Sequence, residues 1–284
     1  VSRECTETDG AAPTTAHEPS WIARLTALRD GTTTDHFVAD MALAQQGRVF
    51  GGLIAAQALA AASRTVAPEA LPQSLHLYFV RLGAPGSVRY EVERTRDGRS
   101  FATRRVTAMQ DGSVILEMLA SFHRPEPDAD SYRAPTAVAP LEGSAALSGF
   151  VDVDQNWEVR SPARAPGSFG PPYWLRSRVA IEDDPVVRAC ALTYISDMGL
   201  MAAASPVDDA VTAPTMLIAR GYQAASIDHA IWFHRPFVPE SWHWFEAESV
   251  NNNDSRGLAV GAFYNDERTR IASVTQEALW RSPL

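Results

Sequence analysis

Two hydrophobic periods alternate along this 284-residue chain. In "SWIARLTALRD", Trp21, Ile22, Leu25 and Leu28 recur at helical spacing and predict a short helix. "DHFVADMAL" reads as a half-buried strand and "AQQGR" as a loop. The run "VFGGLIAAQALAAA" (49–62) is apolar on nearly every side, which predicts a helix wrapped by other structure. Three strand patterns follow. They are "QSLHLYFVRL", a long "SVRYEVERTRDGRSFATRRVTAMQ" broken at Asp97-Gly98, and "SVILEMLASFHR" behind the hairpin signal Asp111-Gly112. From Pro125 to Pro172 the periodicity fades, Pro, Ala, Gly and Ser dominate, and a linker is predicted. The order then recurs. "VVRACALTYISD" reads as a strand and "DMGLMAAA" as a short apolar helix. "AASIDHAIWFHRPF", "SWHWFEAESV", "RGLAVGAFYND" and "RIASVTQEALWR" read as further strands.

The recurrence has a register. Tyr78-Phe79-Val80-Arg81 matches Trp232-Phe233-His234-Arg235 at an offset of 154 residues. Arg99 matches Arg256, and Arg124 matches Arg281, both at an offset of 157. The chain therefore reads as two copies of one unit, each a wrapped helix plus an antiparallel sheet, of α+β class. The expected division is a disordered polar tail over 1–19, a first unit over 20–125, a Pro/Ala-rich linker over 126–171 and a second unit over 172–284.

Composition narrows the function. A net charge of −9 argues against general binding to nucleic acid or anionic lipid. All 25 basic residues are Arg, which excludes Schiff-base and phosphate-loop lysines. Two cysteines, with Cys5 in the polar tail, and no apolar leader fit a reducing cytoplasm. The 14-residue apolar run is short of the roughly 20 residues that span a bilayer, so no membrane insertion is expected. A G-x-S-x-G elbow, an H-E-x-x-H motif and a cysteine metal cluster are all absent from the sequence.

Five motifs in order, "GRVFGGLIAAQAL", "RDGRSFATRRV", "YISDMGL", "SIDHAIWFHRPF" and "VTQEALWR", closely resemble those of the acyl-CoA thioesterase II (TesB-like) family. The resemblance covers about 40–125 and 172–284. It implies a double hotdog, two curled antiparallel sheets each around a central helix and fused side by side. It implies hydrolysis of acyl-CoA to free acid and CoA, without cofactor or metal, in a homodimer or homotetramer. The family's catalytic Asp, Ser or Thr, and Gln fall on Asp197, Ser226 and Gln276. Arg188 stands where the family pattern has a His.

Read as residues, these positions carry alternatives. Asp197 stands at the predicted hand-over from strand to helix, where it would be an N-cap, a role compatible with a carboxylate that accepts a proton. Alternation puts Gln276 on the apolar face with Val274 and Ala278, as either a structural buried amide or part of a site. At offset 157 its counterpart is Leu119; at offset 154 Ser226 maps to Pro72. The first helix offers only Gln57 where the second has Asp197. One site per chain follows, in the second unit. Ser226 is otherwise an ordinary turn or edge serine. His229 and His234 fall on opposite faces, and a structural histidine partnered by Asp228 is the favoured reading. Cys190 reads as a small buried hydrophobe. Two other functions stay open at this stage: a hotdog enoyl-CoA hydratase, which would need an Asp/His dyad, and a non-catalytic acyl-CoA binding protein.

Overall fold

The computed structural model describes residues 18–41, 44–45, 48–127, 131, 138–147, 155–163, 170–206 and 214–283. Cys5 and nearly all of the predicted disordered tail lie outside them. The first half contains α1 (Trp21–Leu25), β1 (Arg29–Asp30), β2 (His36–Met41), the small strands β3 (Ala44–Gln45) and β4 (Arg48–Val49), and α2 (Gly51–Ser63). Then come β5 (Leu71–Phe79), β6 (Gly86–Asp97), β7 (Phe101–Gln110) and β8 (Ser113–His123). The β7–β8 turn carries Asp111 at φ 49° and Gly112 at φ 76°. Two left-handed central residues match the twist of a two-residue hairpin.

The second half contains β9 (Ala145–Ala146), β10 (Trp157–Ser161), β11 (Tyr173–Ser177), α3 (Pro185–Ser196), α4 (Leu200–Ala203) and α5 (Pro214–Ala219). It ends with β12 (Gln223–Ser226), β13 (Asp228–Phe233), β14 (His243–Asn253), β15 (Arg256–Tyr264) and β16 (Arg270–Arg281). Strand β10 lies inside the stretch predicted to be linker. It pairs with β11, which pairs with β14, so regular structure of the second sheet begins well before residue 172. The Pro/Ala/Gly-rich flanks masked a five-residue strand whose Trp157, Val159 and Ser161 alternate inward.

One continuous antiparallel sheet joins the halves, in the order β1-β2-β6-β7-β8-β5-β13-β16-β15-β14-β11-β10-β9. Read outward from the β5–β13 seam, the two halves repeat the same sequence of strands. The seam register matches the repeat. His76 lies opposite Ala230, and these residues are 154 apart, so a local two-fold axis passes between them. Each half curls around a helix: α2 in the first, the α3–α4 run in the second. This is the double hotdog.

α2 is buried over most of its length because Ala, Leu and Gly leave no polar stripe to turn toward water. α3 corrects the strand predicted for "VVRACALTYISD". Its Val, Thr, Tyr and Ile content imitates a strand, and residues 189–196 are all buried, so no helical period shows. The decisive signal is local. Asp184 Oδ1 accepts from the N–H groups of Val186 (2.8 Å) and Val187 (2.9 Å), and Pro185 occupies the first turn. The run from Pro185 to Ala203 has the length and composition of a membrane span, but two thirds of it is buried in the fold as a core helix.

Asp184→Ala should remove the α3 cap and cost about 1 kcal/mol of unfolding free energy. Urea denaturation of the two proteins measures it, and an unchanged midpoint would show that α3 does not depend on this cap.

Candidate active site

The site begins where the central helix of the second half breaks. α3 ends at Asp197, whose backbone is still helical (φ −75°, ψ −10°), and Gly199 turns left-handed at φ 87° before α4 starts. Asp197 is therefore the C-cap of α3, not the predicted N-cap of the following helix; Gly199 occupies that place. A carboxylate at a helix C-terminus faces the negative end of the dipole. Compensation comes from the other half. α2 has no side-chain cap of its own at Phe50, and its Gly52 N–H faces the Asp197 carboxylate and acts to lower its pKa. Asp197 thus serves the N-terminus of a helix more than a hundred residues upstream.

Two glycines make this approach possible. A Cβ on Gly51 would stand 2.8 Å from Asp197 Oδ2 and 2.9 Å from Phe79 Cζ. On Gly52 it would stand 2.3 Å from the Tyr194 carbonyl oxygen of α3. A side chain at Gly52 would push α2 and α3 apart; one at Gly51 would displace the Asp197 carboxylate and the Phe79 ring.

A buried hydrogen-bonded chain leads to the carboxylate. Ser196 Oγ lies 2.9 Å from His229 Nε2, and His229 Nδ1 lies 2.9 Å from Gln276 Oε1. Gln276 Nε2 donates to Ser226 Oγ at 2.6 Å, and the same amide lies near enough to Asp197 to act on its pKa. Burial holds the His229 pKa below its ordinary value, against the pull of Asp197, so the ring is neutral. A neutral ring with Nδ1–H donates to Gln276 Oε1 and leaves Nε2 as an acceptor for the one Ser196 hydroxyl proton, which the Thr193 carbonyl, also at 2.9 Å, competes for. That tautomer turns the Gln276 NH₂ toward Ser226 and Asp197. Burial raises the Asp197 pKa; His229, the Gly52 N–H and Gln276 oppose the rise only in part. Among the described residues, Asp197 Oδ1 is buried with no hydrogen-bond partner.

The structure thus brings Asp197, Ser226 and Gln276 together and adds His229 and Ser196. His229 was readable in part: on β13 it alternates inward with Ile231, as Gln276 does on the neighbouring β16. Its partners are not the predicted ones, since Asp228 Oδ1 accepts from the Glu277 N–H at 2.7 Å. Ser196 carried no signal beyond lying next to Asp197. His234 bonds Ser273 Oγ at 2.9 Å on the exposed side. Arg188 pairs with Asp183 at 2.9 Å, nine residues and roughly 13 Å of helix from Asp197. Cys190 is buried, and burial pushes its thiol pKa up. Among the described residues, no three His, Cys, Asp or Glu side chains converge as metal ligands do.

The counterpart of Gln276 also needs correction. Leu119 is 50% exposed, on the outer face. On the pairing register Ala120 lies opposite Leu75, the equivalent of His229, and Ala120 is buried at 1% exposure. The pairing gives β8 and β16 an offset of 156 rather than 157: Pro72 opposite Phe122 matches Ser226 opposite Ala278, and His76 opposite Leu119 matches Ala230 opposite Thr275. Gln57 is buried and structural: Tyr90 Oη donates to its Oε1 and its Nε2 donates to the Leu25 carbonyl, both at 2.6 Å.

Two substitutions separate folding from chemistry. Gly51→Ala adds a good helix former at the start of α2 but drives a methyl against Asp197 and the Phe79 ring. Melting should stay near wild type while turnover falls about 10²-fold; full turnover would show that the approach tolerates a methyl. Gln276→Leu leaves the His229 Nδ1–H buried without an acceptor. It should cost about 1–3 kcal/mol in urea denaturation, and no loss would mean the ring finds another partner.

Known proteins share this chain's sequence and fold. The family model for the acyl-CoA thioesterase N-terminal domain matches residues 39–123, and that for acyl-CoA thioesterase matches 157–279. Human acyl-coenzyme A thioesterase 8 is 32% identical over 82% of this chain and 81% of its own length. Acyl-CoA thioesterase 2 of Haemophilus influenzae is 30% identical over 82% of this chain and 88% of its own. The crystal structure of the acyl-CoA thioesterase II TesB2 of Mycobacterium marinum superposes with a TM-score of 0.76 at 35% identity, over 92% of this chain and 97% of that one. The chain belongs to the acyl-CoA thioesterase II (TesB-like) family, whose members hydrolyse acyl-CoA thioesters.

Proposed function

We propose that the chain hydrolyses fatty acyl-CoA to fatty acid and CoA at the Asp197 cluster, with Asp197, Ser226 and Gln276 holding the attacking water. The observation that carries this reading is the buried carboxylate with one oxygen unpaired, faced by the Gly52 N–H and the Gln276 amide. Water attacks the thioester carbonyl carbon and passes a proton to Asp197. The tetrahedral intermediate collapses, the C–S bond breaks, and the thiolate takes the proton back. Asp197 suits both transfers because burial makes it a stronger base than an ordinary carboxylate. Gln276 and Ser226 orient the water; His229 and Ser196 position Gln276. The start of α2 presents its positive dipole end to the same space. Its Gly52 N–H is directed at Asp197 and is not an oxyanion donor in this arrangement.

Against a hydratase, both ring nitrogens of His229 are engaged behind Gln276, so no Asp/His dyad faces a substrate. A non-catalytic binder would not require a buried carboxylate at this cost. Homo-oligomerisation in the cytoplasm belongs to the same proposal. The assembly is supported by Tyr78 (61% exposed) and Leu119 (50% exposed), large groups on the outer sheet face near the seam.

Asp197→Asn should lower turnover by about 10²–10⁴-fold, read by thiol release. Near wild-type turnover in a folded variant would remove Asp197 from the mechanism. The stability sign is opposite. The folded pKa lies above the ordinary 3.8, so below that value both states are protonated and nothing is lost. As pH rises through the folded pKa, the native state must bury a charge that the unfolded chain carries freely. The Asn variant should therefore gain on wild type in melting temperature as pH rises from 4 to 8. A gap that narrows over that range would contradict the raised pKa.

A further inference from the structure

A cavity of about 570 Å³ opens beside the N-terminal half of α3, at the far end of that helix from Asp197. Its place is the pseudo-two-fold image of the Asp197 cluster. The seam relates residues 154 apart, which takes Ser226 to Pro72 and Phe79 to Phe233. Phe79 borders Gly51 next to Asp197; Pro72 and Phe233 both line the cavity. The image lacks the chemistry. Pro72 has no hydroxyl, and Leu75 and Ala120 occupy the places of His229 and Gln276.

What it keeps is volume, an apolar wall and positive charge. Leu71, Leu192, Phe233 and Phe237 supply the wall, and the volume falls in the range of ligand pockets. Arg188 and Arg235 line it as well. Arg188 Nη1 pairs with Asp183 at 2.9 Å and its Nε donates to the Glu182 carbonyl at 3.2 Å. Asp183 is 92% exposed, and a pair so open to water is readily exchanged for another carboxylate. Arg235 Nη1 donates to the Arg270 carbonyl at 2.7 Å. The acidic groups at the wall are Asp183 and Glu126, the latter 3.8 Å from His123. Burial first, then Arg270 and Arg235, hold His234 below its ordinary pKa, which marks a positive field on that side.

We propose that this cavity is a second, non-hydrolytic ligand site that takes a long-chain fatty carboxylate. The alkyl chain lies along Leu192 and Phe233, and the carboxylate meets Arg188 and Arg235. Guanidinium groups select an anionic head over a neutral lipid. The proposal rests on the fatty acyl-CoA reading only in that its ligand is that reaction's product; the site itself rests on the cavity and its lining.

Dodecanoate carrying ¹³C at the carboxyl group tests it, titrated into wild type, Asp197→Asn and the double variant Arg188→Gln/Arg235→Gln, with the carboxyl resonance and the binding heat followed. Saturable binding of equal affinity is expected in wild type and Asp197→Asn. The double variant should bind about tenfold or more weakly, with its initial thiol-release rate unchanged. Absence of saturable binding, or binding undiminished in the double variant, overturns the proposal. So does a double variant that also loses hydrolysis, because the cavity would then belong to the hydrolytic site. If the double variant unfolds, Gln73→Trp fills the cavity from a half-buried strand position, and retained dodecanoate binding there overturns the proposal equally. Failure of the hydrolytic reading is read elsewhere, as turnover retained by Asp197→Asn, and leaves the titration intact.

Discussion

At the point where α2 meets α3, the two helices lie closer than any side chain allows, with the Tyr194 carbonyl 2.3 Å from where a Cβ of Gly52 would be. That approach lets the bare N-terminus of one helix reach the carboxylate at the C-terminus of the other. An ionisable group buried among apolar residues is costly unless donors are supplied. Here one donor is a backbone amide that its own helix leaves unpaired, and another is a side-chain amide from the sheet. The break at Gly199 belongs to the same arrangement, because a continuous helix would keep Asp197 within its own turn.

The sheet supplies the remainder. Because β5 and β13 pair across the seam, the two halves form one surface, and the residues facing the helices come from a single register. His229 on β13 and Gln276 on β16 lie side by side only because alternation on both strands is in phase. Each member of the buried chain from Ser196 to Ser226 orients the next, and a partly satisfied chain would be worse than an apolar one. The first half has Leu75 and Ala120 at these places, and its buried amide Gln57 fastens α1.

Strand periodicity and turn residues were legible from the sequence because half-buried antiparallel strands print their two faces directly onto it. The β7–β8 hairpin and the β16 face that carries Gln276 are of this kind. α3 was not legible, because a helix buried on every side has no polar stripe to mark its period, and its β-branched residues imitate a strand. That error also misplaced Asp197, turning a C-cap into an N-cap and pointing the dipole argument the wrong way. The repeat was visible, but the matched arginines gave an offset of 157 where the paired strands β8 and β16 keep 156, enough to exchange an exposed Leu119 for a buried Ala120. The group of Asp197, Ser226 and Gln276 came from resemblance and partly from the inward phase of Gln276. Ser196 and the Gly52 N–H could not be foreseen, since their roles exist only after distant elements have packed.

The glycine pair at the head of α2 belongs to the half of the chain that contributes no polar side chain to the cluster. The consequence is one of substitution tolerance. The half without polar chemistry is still constrained, because its helix end is a fixed component of its neighbour's carboxylate site. A record of variation in such a duplicated protein would show a narrow band of intolerance at two small residues, set apart from the ordinary packing limits of the buried helix that follows. That band would reflect a tie between the halves rather than any reaction performed where it lies.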